Sequence, residues 1–184
     1  MTGFMDLVRE RRSVRSYSPR PVERERLEEL AEALRLAPSA SNQQPWRIVF
    51  VDDPRRKDEV ARATFGGAVN FNRFAVGAPV LAVVTIEPPR LLNRVGAALQ
   101  GREYPLIDIG LGVAHLALRA TELGLGTCIL GWFDEAKVKK IIGAPRSRRV
   151  ALVLTIGYPA ESSATPAALK PRKPIEEVRG FNEY

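Results

Sequence analysis

The chain has 184 residues, 45% of them hydrophobic, and a formal net charge of +7 with an isoelectric point near 10.0. This length and apolar content predict a single domain over residues 1–184 with a substantial core. One cysteine excludes an intramolecular disulfide, and one cysteine with one histidine is too few soft ligands for a zinc site. The N-terminus lacks a signal-peptide pattern, and polar residues interrupt the longest apolar tract, from Leu106 to Leu123. We therefore expect a cytoplasmic protein that does not cross the membrane.

The positive charge is compatible with a nucleic-acid partner or with an anionic small molecule. The basic residues are scattered along the chain, however, and no run of aromatic residues lies among them to stack on bases. We expect no nucleic-acid partner, and a basic RNA-binding module is the weaker alternative.

Hydrophobic periodicity and capping residues predict the elements of the first third of the chain. Two helices, at 2–12 and 22–36, carry apolar residues at helical spacing. The strand 46–51 follows. Asp53 is then an N-cap and Pro54 a helix-starting residue, which predicts a short helix ending near residue 64.

The middle of the chain contains one clear strand between two segments that are harder to assign. Residues 68–77 fit neither period and are predicted as a loop or a broken helix. The continuous apolar run 79–86 predicts a strand that is buried on both faces, at the centre of a sheet. A short helix near 91–99 is a further expectation. Three elements with clear ends close the chain: a strand at 127–130, a helix at 135–142 between Asp134 and Gly143, and a strand at 149–156.

The helix predicted over 105–123 is apolar around most of its circumference, so it needs cover on several sides. Its small residues predict a helix-to-helix seam between two copies of the chain; they are Gly110, Gly112, Ala114, Ala117 and Ala120. His115 lies within this helix and is expected to be a buried core histidine rather than a catalytic one. Cys128 is likewise expected to be a small buried hydrophobe.

The segment Glu10 to Tyr17 places three guanidinium groups and two serine hydroxyls within eight residues. Guanidinium binds phosphate through paired donors, and a serine hydroxyl adds a neutral donor between them. The alternative is a solvated basic surface. Arg11, Arg12, Ser13 and Arg15 are the candidate phosphate ligands.

A second polar segment runs from Ala37 to Trp46, between the second helix and the first strand. Pro38 closes the helix before it and Pro45 leads into the strand. The serine and amide side chains between these prolines offer both donors and acceptors, which suits a polar heterocycle. The alternative is an ordinary helix end and turn.

Together, and in this order, the two segments resemble the nitroreductase family of FMN-dependent flavoproteins. Two later pieces, 123–133 and 170–174, extend the resemblance over nearly the whole chain. The resemblance implies an α+β fold, with a mostly antiparallel central sheet flanked by helices. It also implies an intertwined homodimer in which an arm formed by residues 160–184 crosses to the partner.

The resemblance also assigns cofactor contacts, because the family binds FMN at the subunit interface with these motifs. The residues so assigned, by side chain or backbone, are Arg11, Arg12, Ser13, Arg15, Pro38, Ser39, Ala40, Ser41, Asn42, Leu130, Gly131, Lys170 and Arg172. Many members carry an acidic residue where this chain has Leu130. Either Asn70 or Asn72 is a candidate for an amide contact to the flavin. No metal and no catalytic side chain are implied, because the chemistry belongs to flavin N5.

The expected function is that of an FMN-dependent oxidoreductase using NADH or NADPH to reduce nitroaromatic, quinone or similar acceptors in a ping-pong cycle. Another flavin reaction on the same scaffold is the alternative: flavin degradation, reductive dehalogenation or ring dehydrogenation. The segment 88–104, expected on the substrate side, carries no signature that selects among these acceptors.

Overall fold

The computed structural model describes residues 3–66, 70–88, 103–161 and 171–183. Within these ranges the helices are α1 Phe4–Glu10, α2 Arg24–Arg35, α3 Pro54–Arg62, α4 Tyr104–Glu122 and α5 Glu135–Ile142. The strands are β1 Trp46–Val51, β2 Val80–Ile86, β3 Gly126–Leu130 and β4 Arg149–Gly157. None of the described helices is both long and apolar enough to cross a membrane.

The four strands form one sheet in the order β1-β2-β4-β3, and every pairing is antiparallel. β2 lies between β1 and β4, and six of its seven residues are buried. The prediction of a central, doubly covered strand at 79–86 is therefore confirmed. So is the predicted α+β class with an antiparallel sheet.

Helices cover both faces of this sheet, which gives the domain two apolar cores. One core packs α2 and α4 against β2 and β4, and its largest fully buried side chains include Leu27, Leu30, Ile109, Leu116 and Leu154. The other packs α3 and α5 against the opposite face, through Val60, Val138, Leu81 and Val153. Full burial of one such side chain stabilises the fold by about 1.5–3 kcal/mol.

Capping residues set the helix ends much as the sequence predicts. The Asp53 side chain accepts a hydrogen bond from the Arg56 N–H at 2.9 Å, and Asp134 accepts one from Lys137 N–H at 3.1 Å. Gly143 ends α5 in the left-handed region, at φ 69°. The bounds of α5 match the prediction, whereas α1 is shorter than the predicted 2–12.

The predicted loop or broken helix at 68–77 contains a 3-10 helix, Arg73–Gly77, in its described part. The short helix expected near 91–99 lies outside the described residues.

Within the described residues, helix α4 is covered on one side only. Gly112, Ala117 and Ala120 face inward, and a Cβ on Gly112 would lie 3.4 Å from Leu34 Cγ. The opposite face of the helix is exposed, including Leu106, Ile107, Gly110, Leu111, Ala114 and His115. The prediction of a buried core histidine is therefore wrong for His115. The apolar sequence of this helix predicts that its surface is covered. It does not indicate which face packs within the same chain.

Candidate functional site

The N-terminal segment after α1 lies along the outer edge of β3. Ser13 pairs with Thr127 in a parallel bridge, and the Val14 N–H donates to the Thr127 carbonyl at 2.9 Å. The approach is close because Gly126 has no side chain: a Cβ there would lie 2.5 Å from a Val14 methyl carbon. The sheet edge thus positions the residues on either side of Val14, which are candidate phosphate ligands.

Tyr17 fixes the far end of the same segment. Its hydroxyl donates to the Val14 carbonyl at 2.7 Å and lies 2.6 Å from Thr155 Oγ1. Burial raises the pKa of this hydroxyl, so Tyr17 remains neutral at physiological pH. The next residues pair with the chain after β4, where the Ser18 N–H donates to the Tyr158 carbonyl at 2.8 Å. This part of the site is preformed by the sheet.

The guanidinium groups of this segment differ in exposure. Arg15 is exposed, with its guanidinium carbon 5.8 Å from the centre of the Phe74 ring, whereas Arg11 and Arg12 are half-buried. Arg172 lies in the tail 171–183, in which every residue with an assigned exposure is exposed. Lys170, the other predicted tail ligand, lies outside the described residues.

The segment that follows Pro38 forms a tight 3-10 turn, Ala40–Asn42, closed by local hydrogen bonds. Ser39 Oγ accepts from the Gln44 N–H at 2.9 Å, and Asn42 Oδ1 accepts from Gln44 Nε2 at 3.1 Å. Three residues have left-handed backbone angles, with φ of 52° at Ser41, 51° at Asn42 and 48° at Gln44. Each costs on the order of 1 kcal/mol outside glycine, so surrounding contacts have to hold the turn in this shape.

Asp108 supplies such a contact, and sequence reasoning missed it. The residue lies on α4 with 4% of its surface exposed, and its Oδ1 accepts the Ala40 N–H at 3.0 Å. The other oxygen, Oδ2, is buried and receives no hydrogen bond within the described structure. The sequence signal is a carboxylate within the most apolar part of this helix, which by itself indicates only an interruption of the apolar tract.

The register of β3 decides which backbone amides face outward. Antiparallel strands direct alternate residues toward the neighbour, and the Thr127 carbonyl points away from β4 toward Val14. The amide of Ile129 therefore also points outward, whereas that of Leu130 points to β4. The Leu130 side chain is buried in the core. Gly131, the other predicted backbone donor, follows the last residue of β3 and is exposed.

The two asparagine candidates differ in what they contact. Asn72 is buried, and its Nδ2 donates to the carbonyls of Thr64 and Trp132 at 3.1 and 3.3 Å. Its amide hydrogens are therefore used to hold the chain beside Gly131. Asn70 is exposed, and its Oδ1 accepts from Arg73 Nε at 3.1 Å.

A cavity of about 380 Å³ is lined in part by Trp132, Phe133 and Asp134, the residues that follow Gly131. Its walls are aromatic and charged, formed by Arg62, Ala63, Phe65, Gly66, Trp132, Phe133, Asp134 and Lys137. A hydrogen bond from Lys137 N–H is the main reason why the pKa of Asp134 is lowered, so its carboxylate is ionised beside this cavity.

Comparison with known proteins assigns the family. Residues 8–158 match the Nitroreductase family. An NADH dehydrogenase of Thermus thermophilus is 31% identical, covering 91% of this chain and 90% of its own. An FMN reductase [NAD(P)H] of Bacillus subtilis is 28% identical over 100% of this chain and 75% of its own. An iodotyrosine deiodinase of Thermotoga neapolitana is also 28% identical, with coverages of 97% and 96%.

The chain belongs to the nitroreductase family, as its ordered motifs predict. A solved structure supports the same fold: the hypothetical oxidoreductase YcnD of Bacillus subtilis superposes with a TM-score of 0.81 at 26% identity. That match covers 100% of this chain and 75% of the other. The predicted enzyme class, an oxidoreductase of the nitroreductase type, is confirmed.

Proposed function

We propose that this chain is an FMN-dependent oxidoreductase that takes reducing equivalents from NADH or NADPH and passes them to a small organic acceptor. The observation that carries the proposal is the β3 edge, where a segment of arginine and serine is docked beside the strand that leads directly into Gly131. Candidate phosphate donors and a candidate backbone donor to the ring thus lie along one strand. The relative named FMN reductase [NAD(P)H] supports the same cofactor.

The donor chemistry of this edge fits the phosphate of FMN. Arg11, Arg12 and Arg15 supply charged donors and Ser13 a neutral one. The tail residues Lys170 and Arg172 would close over the phosphate.

The ring would be bound by the second segment and by β3. Pro38, Ser39, Ala40, Ser41 and Asn42 would contact it from the partner subunit, and the Gly131 N–H would donate to its polar edge. When bound, FMN supplies hydride acceptance and donation. The protein's part is to orient the ring, neutralise the phosphate charge and keep water from the reacting face, so no side chain has to act as a nucleophile.

A homodimer completes this site. The exposed face of α4 continues onto α1, where Phe4, Met5 and Val8 are also exposed. The tail likewise leaves Ile175, Val178 and Phe181 exposed. Apolar groups on this scale mark an interface in a water-soluble chain. A second copy would cover α4, and the tail would cross onto it as the predicted arm of residues 160–184.

Titration of the purified protein with FMN and FAD tests the cofactor. We expect stoichiometric FMN binding with a visible flavin spectrum, and weaker binding of FAD because its adenylate would have to pass through the phosphate cradle. Steady-state oxidation of NADH or NADPH with nitroaromatic and quinone acceptors then tests the reaction. Absence of flavin binding, or equal affinity for the two flavins, would contradict the proposal.

Reductive dehalogenation is the second candidate, favoured by the similarity to the iodotyrosine deiodinase over 97% of this chain. Anaerobic incubation of the reduced holoprotein with a halogenated phenol distinguishes the two. Halide release without turnover of any nitro or quinone acceptor would favour dehalogenation.

A further inference from the structure

The buried carboxylate of Asp108 is costly for a helix that otherwise packs apolar side chains. A buried polar group lowers stability unless hydrogen bonds offset its loss of water, and only Oδ1 of Asp108 has a partner within the described residues. An apolar side chain of similar size would carry no such cost. The carboxylate therefore points to a purpose other than stability of the fold.

The position of the Ala40 N–H, which is the partner of Asp108 within the described residues, indicates what the carboxylate does. Ala40 is the first residue of the 3-10 turn, and its N–H is tied by Asp108 to a helix 68 positions further along the chain. The bonds from Gln44 to Ser39 and Asn42 are local, so they shape the turn without placing it. The Asp108 bond both anchors the turn and opposes its left-handed strain.

We propose that Asp108 is a positioning residue, which holds the segment Ser39–Gln44 in its cofactor-contacting shape through the Ala40 N–H. This inference rests on the proposed function for the identity of the ligand. Ile107, its neighbour on α4, belongs to the exposed face that we assign to the dimer. One helix thereby sets both the subunit contact and the loop that reaches the cofactor.

FMN titration of two variants measures the effect on the cofactor. Asp108→Ala removes the acceptor and should weaken FMN binding at least tenfold. Asp108→Asn keeps a carbonyl oxygen for the Ala40 N–H and should stay within threefold of the unaltered protein. Thr121→Val is the matched control, since it removes a hydrogen bond from the same helix, Thr121 Oγ1 to the Ala117 carbonyl, away from the turn.

Trp46 reports on the turn without any flavin. It follows the segment directly, and a Cβ on Gly112 of α4 would lie 3.6 Å from its ring. The chain has two tryptophans, so Trp132→Phe leaves Trp46 as the single tryptophan, which is excited at a wavelength that tyrosine does not absorb. In this background the apoprotein of Asp108→Ala should emit at longer wavelength than the parent, and Asp108→Asn should restore the parent spectrum.

The two measurements separate the inference from the proposed function. A Trp46 shift in a protein that never binds FMN would support the positioning role and contradict the cofactor. FMN binding that Asp108→Ala leaves unchanged, or weakens without a Trp46 shift, would overturn the positioning role alone. So would an asparagine variant as weak as the alanine one. Should Asp108→Ala fail to fold, Asp108→Ser replaces it, because its shorter side chain loses Ala40 and can bond a carbonyl of its own helix.

Discussion

The two polypeptide segments that carry the candidate site are held in place by different means. The segment 13–18 is attached to the sheet by backbone hydrogen bonds, by the buried Tyr17 and by the close contact of Val14 with Gly126. The segment 39–44 is strained and depends on one carboxylate from α4. The proposed phosphate side of the site is therefore part of the folded monomer, whereas the proposed ring side depends on the placement of a helix at the proposed interface.

The largest effect should come from Gly126→Val, which displaces the segment 13–18 from the sheet. A side chain at this position meets Val14 at 2.5 Å, so the N-terminal segment would have to leave the β3 edge. We expect a loss of about 3 kcal/mol in the free energy of unfolding, with no measurable FMN binding. Urea unfolding and flavin titration check this. Gly77→Ala is the control, because a Cβ there meets nothing within 4 Å.

Leu111→Glu should disturb the segment 39–44 indirectly, by weakening the proposed dimer. A carboxylate at this exposed apolar position on α4 would be buried in the proposed interface without a counter-ion. The dimer dissociation constant should rise at least ~100-fold, about 2.8 kcal/mol, and FMN affinity should fall with it. Sedimentation velocity measures the former. Ala136→Glu, on the exposed surface of α5, should leave the dimer intact; a dimeric Leu111→Glu protein would move the interface elsewhere.

Arg15→Ala tests the proposed phosphate contact of the segment 13–18 without displacing that segment. The exposed guanidinium is a charged phosphate donor, and its loss should weaken FMN binding by about 1.5–3 kcal/mol, roughly 10- to 100-fold. Unchanged circular dichroism would show that the fold survives the substitution. Arg55→Ala removes an equal charge from the surface of α3, where Arg55 pairs with Glu59, and should bind FMN normally. Equal affinity of both variants would place the cradle on other residues.

The smallest effect concerns the pH dependence of the hydrogen bond between Glu23 and Tyr158, the residue that follows β4. A hydrogen bond from the Tyr158 hydroxyl, with a backbone bond and Arg20, lowers the pKa of Glu23 from an ordinary 4.5 to about 2. A lowered carboxyl pKa stabilises the fold above its ordinary value, and that stability is lost as pH falls toward 2. The urea midpoint of Glu23→Gln should therefore change less between pH 4.5 and about 2 than that of the unaltered protein. Glu28→Gln is the surface control. A pH profile of Glu23→Gln that runs parallel to that of the unaltered protein would show that the bond from Tyr158 to Glu23 does not stabilise the fold.

Some expectations follow from residues that are close together in sequence, and these agree with the structure. The helix α5 has the predicted bounds because Asp134 and Gly143 are local signals that act within one turn. The strand Val80–Ile86 is central because an uninterrupted apolar run has to be covered on both faces. Asn72 and Asn70 could not be separated in this way, since the burial of Asn72 depends on partners 8 and 60 positions away, Thr64 and Trp132.

The family, the sheet-forming runs and the two motifs can be read from the sequence alone, because each depends on residue types at short spacing. Which groups are available to a ligand depends on the tertiary fold. The exposure of His115 follows from the side of α4 that the described residues leave uncovered, and the inward direction of the Leu130 amide follows from the pairing of β3 with β4. The bond between Asp108 and Ala40 spans 68 positions, a separation over which no local pattern connects donor with acceptor.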